Sequence, residues 1–412
     1  YDSGTLWIGR DRSSDDLQVG LIPAHVTTDA WVGGARGVQQ HRFDDGPTLT
    51  AGVDLDGEVA SIARSGSLSI PAREGDLHIF GQPPGDDVAA DSWRATTIDA
   101  AAHAALDAHA GPFVASAGVR ADAWLLTASR LTPRVGATPA IGYQNIDYTA
   151  DPRASLQWNV REDFTVRGDA GRYHQARGAA DTSAVFGTPT LGLEQAWHAI
   201  AGAQWRLAPF AIEAAGYARW LDDLVSRDLA VTPPLAHALT QLGIGDVYGV
   251  QVTARVLGWH GLSGWLSYNL SRSRRKDAPD QAWRYFDHDQ THGLIAVVGW
   301  ETGPWTLGAR VRLATGEPRT PVVGAFFDSR SGRYEPIVGV HNGTRLPTFF
   351  AADARAERRF PLGSARGAIY VEIQNLTNHE NAEEIIYSAD FTQHGYLTSL
   401  PLLAIGGVRI ER

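Results

Sequence analysis

Charged residues recur at every second position along several stretches of this 412-residue chain. Arg153, Arg167, Asp169, Arg310, Arg312, Asp353, Arg355, Glu357, Arg359 and Glu372 belong to such rows. A period of two places them on one face of a strand. Around a polar lumen they would steer a ligand or its counter-ion. The same rows would also serve as cross-strand ion pairs, because lumenal charges need partners whether or not anything passes. Two groups have metal-ligand types: Asp287-His288-Asp289 with His292, and Asp99, His103 and Asp107. A metal needs converging ligands in the right number, which spacing alone does not supply. Structural use is the expectation for both, with no metal and no cofactor. Aromatic residues on two long connecting segments form a third group: Phe326, Phe327, Tyr334 and His341, then Tyr387, Phe391, His394 and Tyr396. They suit ligand capture at a surface, or packing between loops. No Gly-x-Ser-x-Gly, His-Glu-x-x-His or phosphate-loop motif is present, so catalysis is not expected.

Strands must position these residues. Between 152 and 161, Ala154, Leu156, Trp158 and Val160 oppose Arg153, Ser155, Gln157, Asn159 and Arg161. Between 304 and 316, Trp305, Leu307, Ala309, Val311 and Leu313 oppose Thr306, Arg310 and Arg312. Near the end, Ile369, Val371 and Ile373 oppose Tyr370, Glu372 and Gln374. Such alternation predicts about seventeen strands, at 3–10, 15–26, 30–43, 48–70, 93–109, 112–127, 152–161, 164–175, 193–206, 209–226, 245–258, 261–275, 288–301, 304–316, 347–360, 366–377 and 401–411. Segment 93–109 is Ala-rich and also fits a helix; its strand neighbours favour strand. Long connections, at 71–92, 128–151, 176–192, 227–244, 276–287, 317–346 and 378–400, alternate with short turns.

Composition limits the function classes. The formal charge of -10 argues against a nucleic-acid partner. Without cysteine there are no disulfides and no thiolate metal sites. No methionine is present, which points to a processed product or a fragment. No apolar run is long enough for a membrane helix. No composition shift divides the chain, so one domain over 1–412 is expected.

Period two alone does not say which face is inside. Strands of roughly 10–16 residues reach across a bilayer at a tilt, whereas ordinary strands average about 5–6. Trp158, Trp205, Trp220, Trp259, Trp300 and Trp305 sit near strand ends, where an interfacial girdle belongs. With one side of tight turns and one of long loops, the pattern predicts an all-β transmembrane antiparallel barrel, apolar outside and polar within. A large soluble β-protein such as a propeller is the alternative, with short strands and repeats that are not seen here. Seventeen strands cannot close in the usual even-numbered scheme, and open edges are not tolerated in lipid. Further strands are therefore expected before residue 1, with residue 1 on the long-loop side.

Particular segments carry a resemblance. Gly66-Ser-Leu-Ser-Ile-Pro-Ala-Arg-Glu-Gly-Asp-Leu77, Leu270-Ser-Arg-Ser-Arg-Arg275, Phe286-Asp-His-Asp-Gln-Thr-His292 and Thr315-Gly-Glu-Pro-Arg-Thr-Pro-Val322 are four of them. Val371-Glu-Ile-Gln-Asn-Leu-Thr-Asn378, Glu383-Glu-Ile-Ile-Tyr-Ser388 and Leu400-Pro-Leu-Leu-Ala-Ile-Gly-Gly-Val-Arg409 complete the set. Together they resemble the C-terminal part of TonB-dependent outer-membrane receptors, and look most like the long-looped receptors of myxobacteria and related groups. The resemblance implies a barrel of about 22 strands with a plugged lumen, in the outer membrane of a Gram-negative bacterium. It implies outer-membrane lipid and the TonB–ExbB–ExbD complex as partners, and import of a scarce small ligand such as a metal chelate, carbohydrate or peptide. The chain departs from this pattern: it shows no plug and no TonB box, has about five strands too few, and ends in Arg412 rather than an aromatic residue. The plug and missing strands are expected on a separate companion chain or on polypeptide outside this sequence. A scaffold barrel of a surface complex, with little or no transport, is the other reading.

Overall fold

The computed structural model describes residues 2–19, 22–44, 46–68, 73–77, 79–81, 88–131, 142–228 and 238–411. Its main sheet has seventeen strands, one of which is the two-residue Arg284–Tyr285. The other sixteen are β1 Asp2–Val19, β2 Ile22–Arg42, β3 Thr48–Ser67, β4 Val88–Ala110, β5 Phe113–Arg130, β6 Gly142–Arg161, β7 Phe164–Ala176 and β8 Leu193–Leu207, then β9 Phe210–Arg227, β10 Leu239–Trp259, β11 Leu262–Lys276, β12 His292–Thr302, β13 Trp305–Ala314, β14 Phe349–Leu362, β15 Ala365–Gln374 and β16 Leu403–Glu411. Each pairs antiparallel with its neighbour in sequence, for example β1 with β2, β9 with β10 and β15 with β16. Among the described residues, the outer edges of β1 and β16 pair with no strand.

The Ala-rich segment is a strand, with Asp99, His103 and Asp107 opposite Asp56, Gly52 and Thr48 of β3. Two expectations are corrected. Residues 3–43 form two strands rather than three. The polar stretch Asp11–Asp15, which the sequence suggests as a tight turn between the first two, is not one: Asp11 pairs with Ala30 and Asp15 with Val26. Above the bilayer both faces of a strand are wet, so alternation fades while the hydrogen-bond ladder continues. The count of crossing strands is therefore even, which puts the start of β1 at the short-turn end rather than the long-loop end. Several strands also run longer than expected; β4 has 23 residues. The expected loops at 128–151 and 227–244 shrink accordingly, and their centres, 132–141 and 229–237, lie outside the described residues.

The barrel wall is apolar outside. Val53, Tyr148, Val371, Val408 and Ile410 are among the exposed large side chains. Two aromatic rings bound this band. The short-turn ring contains Trp158, stacked 5.8 Å from Phe113, together with Trp205, Trp259 packed 5.8 Å from Phe210, Trp300 and Trp305. The long-loop ring contains Trp31, Tyr148, Trp197 and Trp220, whose indole donates to the Tyr248 hydroxyl at 2.9 Å. Ten residues separate Tyr148 from Trp158 on β6. At about 3.3 Å per residue and a tilt near 45° they span roughly 23 Å, close to the height of an outer-membrane apolar band.

The small apolar core lies on the lumenal face near the long-loop end. Ala30, Ala60, Ile62, Trp93 and Ala95 pack together there, with Val26 and Ala179 against them. Residues 179–191, including a 3-10 turn at Ala179–Thr182, cover this patch. The Trp93 indole donates to the Ala179 carbonyl at 3.0 Å.

Candidate functional site

Register places the predicted charged rows on the lumenal face. Arg310 lies opposite Asp353, and Arg355 opposite Glu372. Most of these charges pair with each other. Arg310 binds Asp353 at 2.7 Å, and Arg355 binds Glu357 at 3.0 Å and Glu372 at 3.1 Å. Glu357 also accepts from Arg359 at 3.4 Å and Arg409 at 2.9 Å. Arg167 binds Asp169 at 2.7 Å. Arg153 lies over the Tyr173 ring at 4.5 Å. Arg312 makes no ion pair among the described residues; its guanidinium sits 4.8 Å from the Phe349 ring. Many partners stand two residues apart on one strand, the nearest neighbours on a face. Arg120 with Asp122 at 2.6 Å, Asn145 with Asp147 at 2.6 Å and Gln374 with Glu372 at 2.9 Å follow the same rule.

These residues do not share one site: Arg153 and Asp169 line one cavity, Arg310, Arg312 and Asp353 another, and Arg167, Arg355, Glu357 and Glu372 line neither. A lumenal cavity of about 510 Å³ is lined by Arg36, Asp54, His103, Arg120, Arg153 and Asp169, among others. A second, of about 450 Å³, is lined by Arg310, Arg312, Phe349, Asp353 and Asn381, with Leu400 from the last long connection. Strands β2 to β8 frame the first; β13, β14, β15 and the last long connection frame the second.

Around the first cavity the structure adds residues that the sequence reading missed. Arg120 donates to Asp54, to Asp99 at 2.9 Å and to Asp122 at 2.6 Å. Arg36 also reaches Asp54 at 2.5 Å. The rows Asp54-x-Asp56-x-Glu58 and Arg120-x-Asp122 were the available signal. The set Asp99, His103 and Asp107 does not converge: Asp99 goes to Arg120, and His103 lies 3.5 Å from Asp54.

The long connections carry more structure than expected. Val322–Asp328 pairs with Arg333–Val338, and Ala382–Tyr387 with His394–Thr398, so both aromatic groups sit on β-hairpins. Phe326, Phe327 and Tyr334 are exposed on the first hairpin, with Phe327 and Tyr334 ring centroids 5.3 Å apart. On the second, Tyr387 lies 5.8 Å from Phe391, and Tyr396 is exposed. Hydrogen bonds from Ser388 and Thr392 hold Asp390 below the usual carboxylate range and shape the tip.

The Asp287–His292 group ties loops together. Asp289 accepts from the Ser273 amide at 2.6 Å and from Arg345 at 2.5 Å. Asp287 accepts from the Gly75 amide at 2.8 Å and from Asn342 at 2.7 Å. His288 faces Glu317 at 3.2 Å, and His292 meets the Tyr268 hydroxyl at 2.8 Å. Arg284, whose side chain is 5% exposed, is the hub; it binds Glu74 at 2.7 Å, Asp277 at 2.7 Å and Asp287 at 3.4 Å.

Half-buried His341 sits beside this hub. Burial first, and then the Arg284 charge, lower its pKa, while Asp287, Asp277 and Glu74 act in the opposite sense. A base with a lowered folded pKa binds fewer protons folded than unfolded. Its contribution is intact above the unfolded value of about 6.5 and is lost as pH falls through it. Amide exchange over 338–346 is expected to speed up from pH 8 to pH 5 after correction for intrinsic rates, and H341Q is expected to remove the difference. Equal pH dependence in both proteins would count against this role.

A family model described as "TonB dependent receptor-like, beta-barrel" matches residues 4–376. No protein with a curated description matches the sequence. Among solved structures, the chain is similar to the ferric citrate transporter FecA in its unliganded form, at 14% identity and TM-score 0.71, covering 99% of this chain and 58% of that one. It is also similar to the copper transporter OprC, at 13% and 0.71, covering 100% and 62%. The ferric yersiniabactin uptake receptor FyuA from Yersinia pestis matches at 14% and 0.66, covering 97% and 57%. The chain thus spans about three-fifths of the length of these structures.

Proposed function

Because the chain belongs to the TonB-dependent receptor β-barrel family, and is a barrel of the Gram-negative outer membrane, we propose that it is the wall of a receptor for a scarce extracellular ligand. The ligand descends along the lumen and is imported with energy coupled through TonB. A metal chelate, a carbohydrate or a peptide is the class of cargo. The observation that carries this reading is the cavity below the last long connection, with Arg312, which makes no ion pair among the described residues, in its wall and the aromatic hairpins beyond. Arg310, Asp353, Phe326, Phe327, Tyr334, Tyr387, Phe391 and Tyr396 share the route, and Arg153, Arg167, Asp169, Arg355, Glu357 and Glu372 keep its walls polar.

The free edges of β1 and β16 need partners in lipid. β1 runs from the short-turn end and β16 runs towards it, so antiparallel closure takes an even number of strands. The family's 22 strands leave about six. Those strands and the plug are proposed to come from further polypeptide that enters β1 from the short-turn, periplasmic side.

Uptake of radiolabelled iron supplied as citrate, hydroxamate and catecholate chelates tests the reading. At least one chelate is expected to enter, and to stop entering when TonB is depleted. R312Q is expected to weaken its binding about tenfold or more, as loss of a charged hydrogen bond does. Uptake indifferent to TonB would sink the proposal.

A further inference from the structure

Four parts of the chain meet at the mouth, one of them within the Gly66–Leu77 segment. The connection between β3 and β4 sends the tip Arg73-Glu74-Gly75-Asp76 across to distant strands. Asp76 accepts two bonds of 2.8 Å from Arg227 at the end of β9. Glu74 accepts from both terminal nitrogens of Arg284, at 2.7 and 3.2 Å. Arg73 binds Asp181 in the connection between β7 and β8. Gly75 adopts φ of +84°, and a Cβ there would run into the Arg284 guanidinium. The tip is therefore held at three points, by Arg227, by Arg284 and, through Arg73, by Asp181. Beside it, Arg275 has a buried terminal nitrogen with no hydrogen-bond partner among the described residues.

Two carboxylates on one loop tip thus occupy two arginines that belong to other elements, with a third arginine under-satisfied next to them. We propose that Glu74 and Asp76 are an internal anion, seated in an arginine site that also takes acidic ligands. Carboxylate or phosphate groups compete with the tip for Arg227 and Arg284, Arg275 adds a donor, and the loop opens as they bind. This rests on the mouth being where ligand enters. Uptake through Arg312 is measured separately, so a loop that stays still leaves that result standing.

The chain has no cysteine, so L77C and Q281C give two unique spin-label sites, one beside the tip and one on the Arg284 loop. Distances are measured on the full protein in lipid nanodiscs, with metal-free citrate as the probe. Citrate is expected to move the population to longer distances, and E74Q/D76N to be open without it. Sodium chloride of equal ionic strength is expected to do neither, because partly buried pairs are weakly screened. No movement with citrate overturns the proposal, as does equal movement with sodium chloride. Should E74Q/D76N fail to fold, G75A, which unseats the tip sterically, is expected to open the loop instead. A closed G75A protein overturns the proposal as well.

Discussion

Replacing Arg120 with leucine is expected to destabilise the barrel by about 3–5 kcal/mol, the cost of breaking a buried ion pair from one side. Arg120 bonds three carboxylates, and the side chains of Asp54 and Asp122 are each 2% exposed. Among the described residues, leucine would leave Asp122 with a 3.4 Å contact from Thr149, and Asp54 with Arg36 and the more distant His103. Lysine would not restore the site, since a point charge does not reproduce the guanidinium fork. Urea titration of the heat-modifiable band shift in lipid vesicles reads the stability. The R120L midpoint is expected to fall well below the parent's, and D99N/D122N added to R120L to recover part of the loss. An R120L midpoint equal to the parent's would show that solvent already screens these acids.

The second large effect tests which face meets lipid. Val252 and Gln251 are neighbours on β10. Val252 points outward between the Tyr248 and Trp259 levels, while Gln251 points inward and donates to Ser267 at 3.1 Å. V252R is expected to cost about 2–4 kcal/mol, the price of arginine near the bilayer midplane. Q251R, one residue away, is expected to be nearly neutral. The same titration decides it. Similar costs for the two variants would contradict the inside-out assignment, and a larger cost for Q251R would reverse it.

Most of the wall was legible because lipid outside and polarity inside force period two. The pairs Arg310 with Asp353 and Arg355 with Glu372 follow from alternation once the register is known. Legibility failed where that force stops. Asp11–Asp15 reads as a turn because both faces of β1 are wet at that height, although the ladder continues. The loop clasp was also hidden. Asp76 and Arg227 stand 151 residues apart, and Glu74 and Arg284 stand 210 apart. No local pattern couples such residues. Most of the ligand-type histidines proved to hold loops and strand ends in place.

The pairing of lumenal charges two residues apart bears on how such a wall can be assembled. Arg120 with Asp122, Arg167 with Asp169 and Arg355 with Glu357 each neutralise within a single strand. A strand so composed arrives at the growing edge with much of its charge already compensated. Its insertion does not wait for the neighbour to supply a counter-ion, and strands can be added one at a time without a charged intermediate facing the acyl chains.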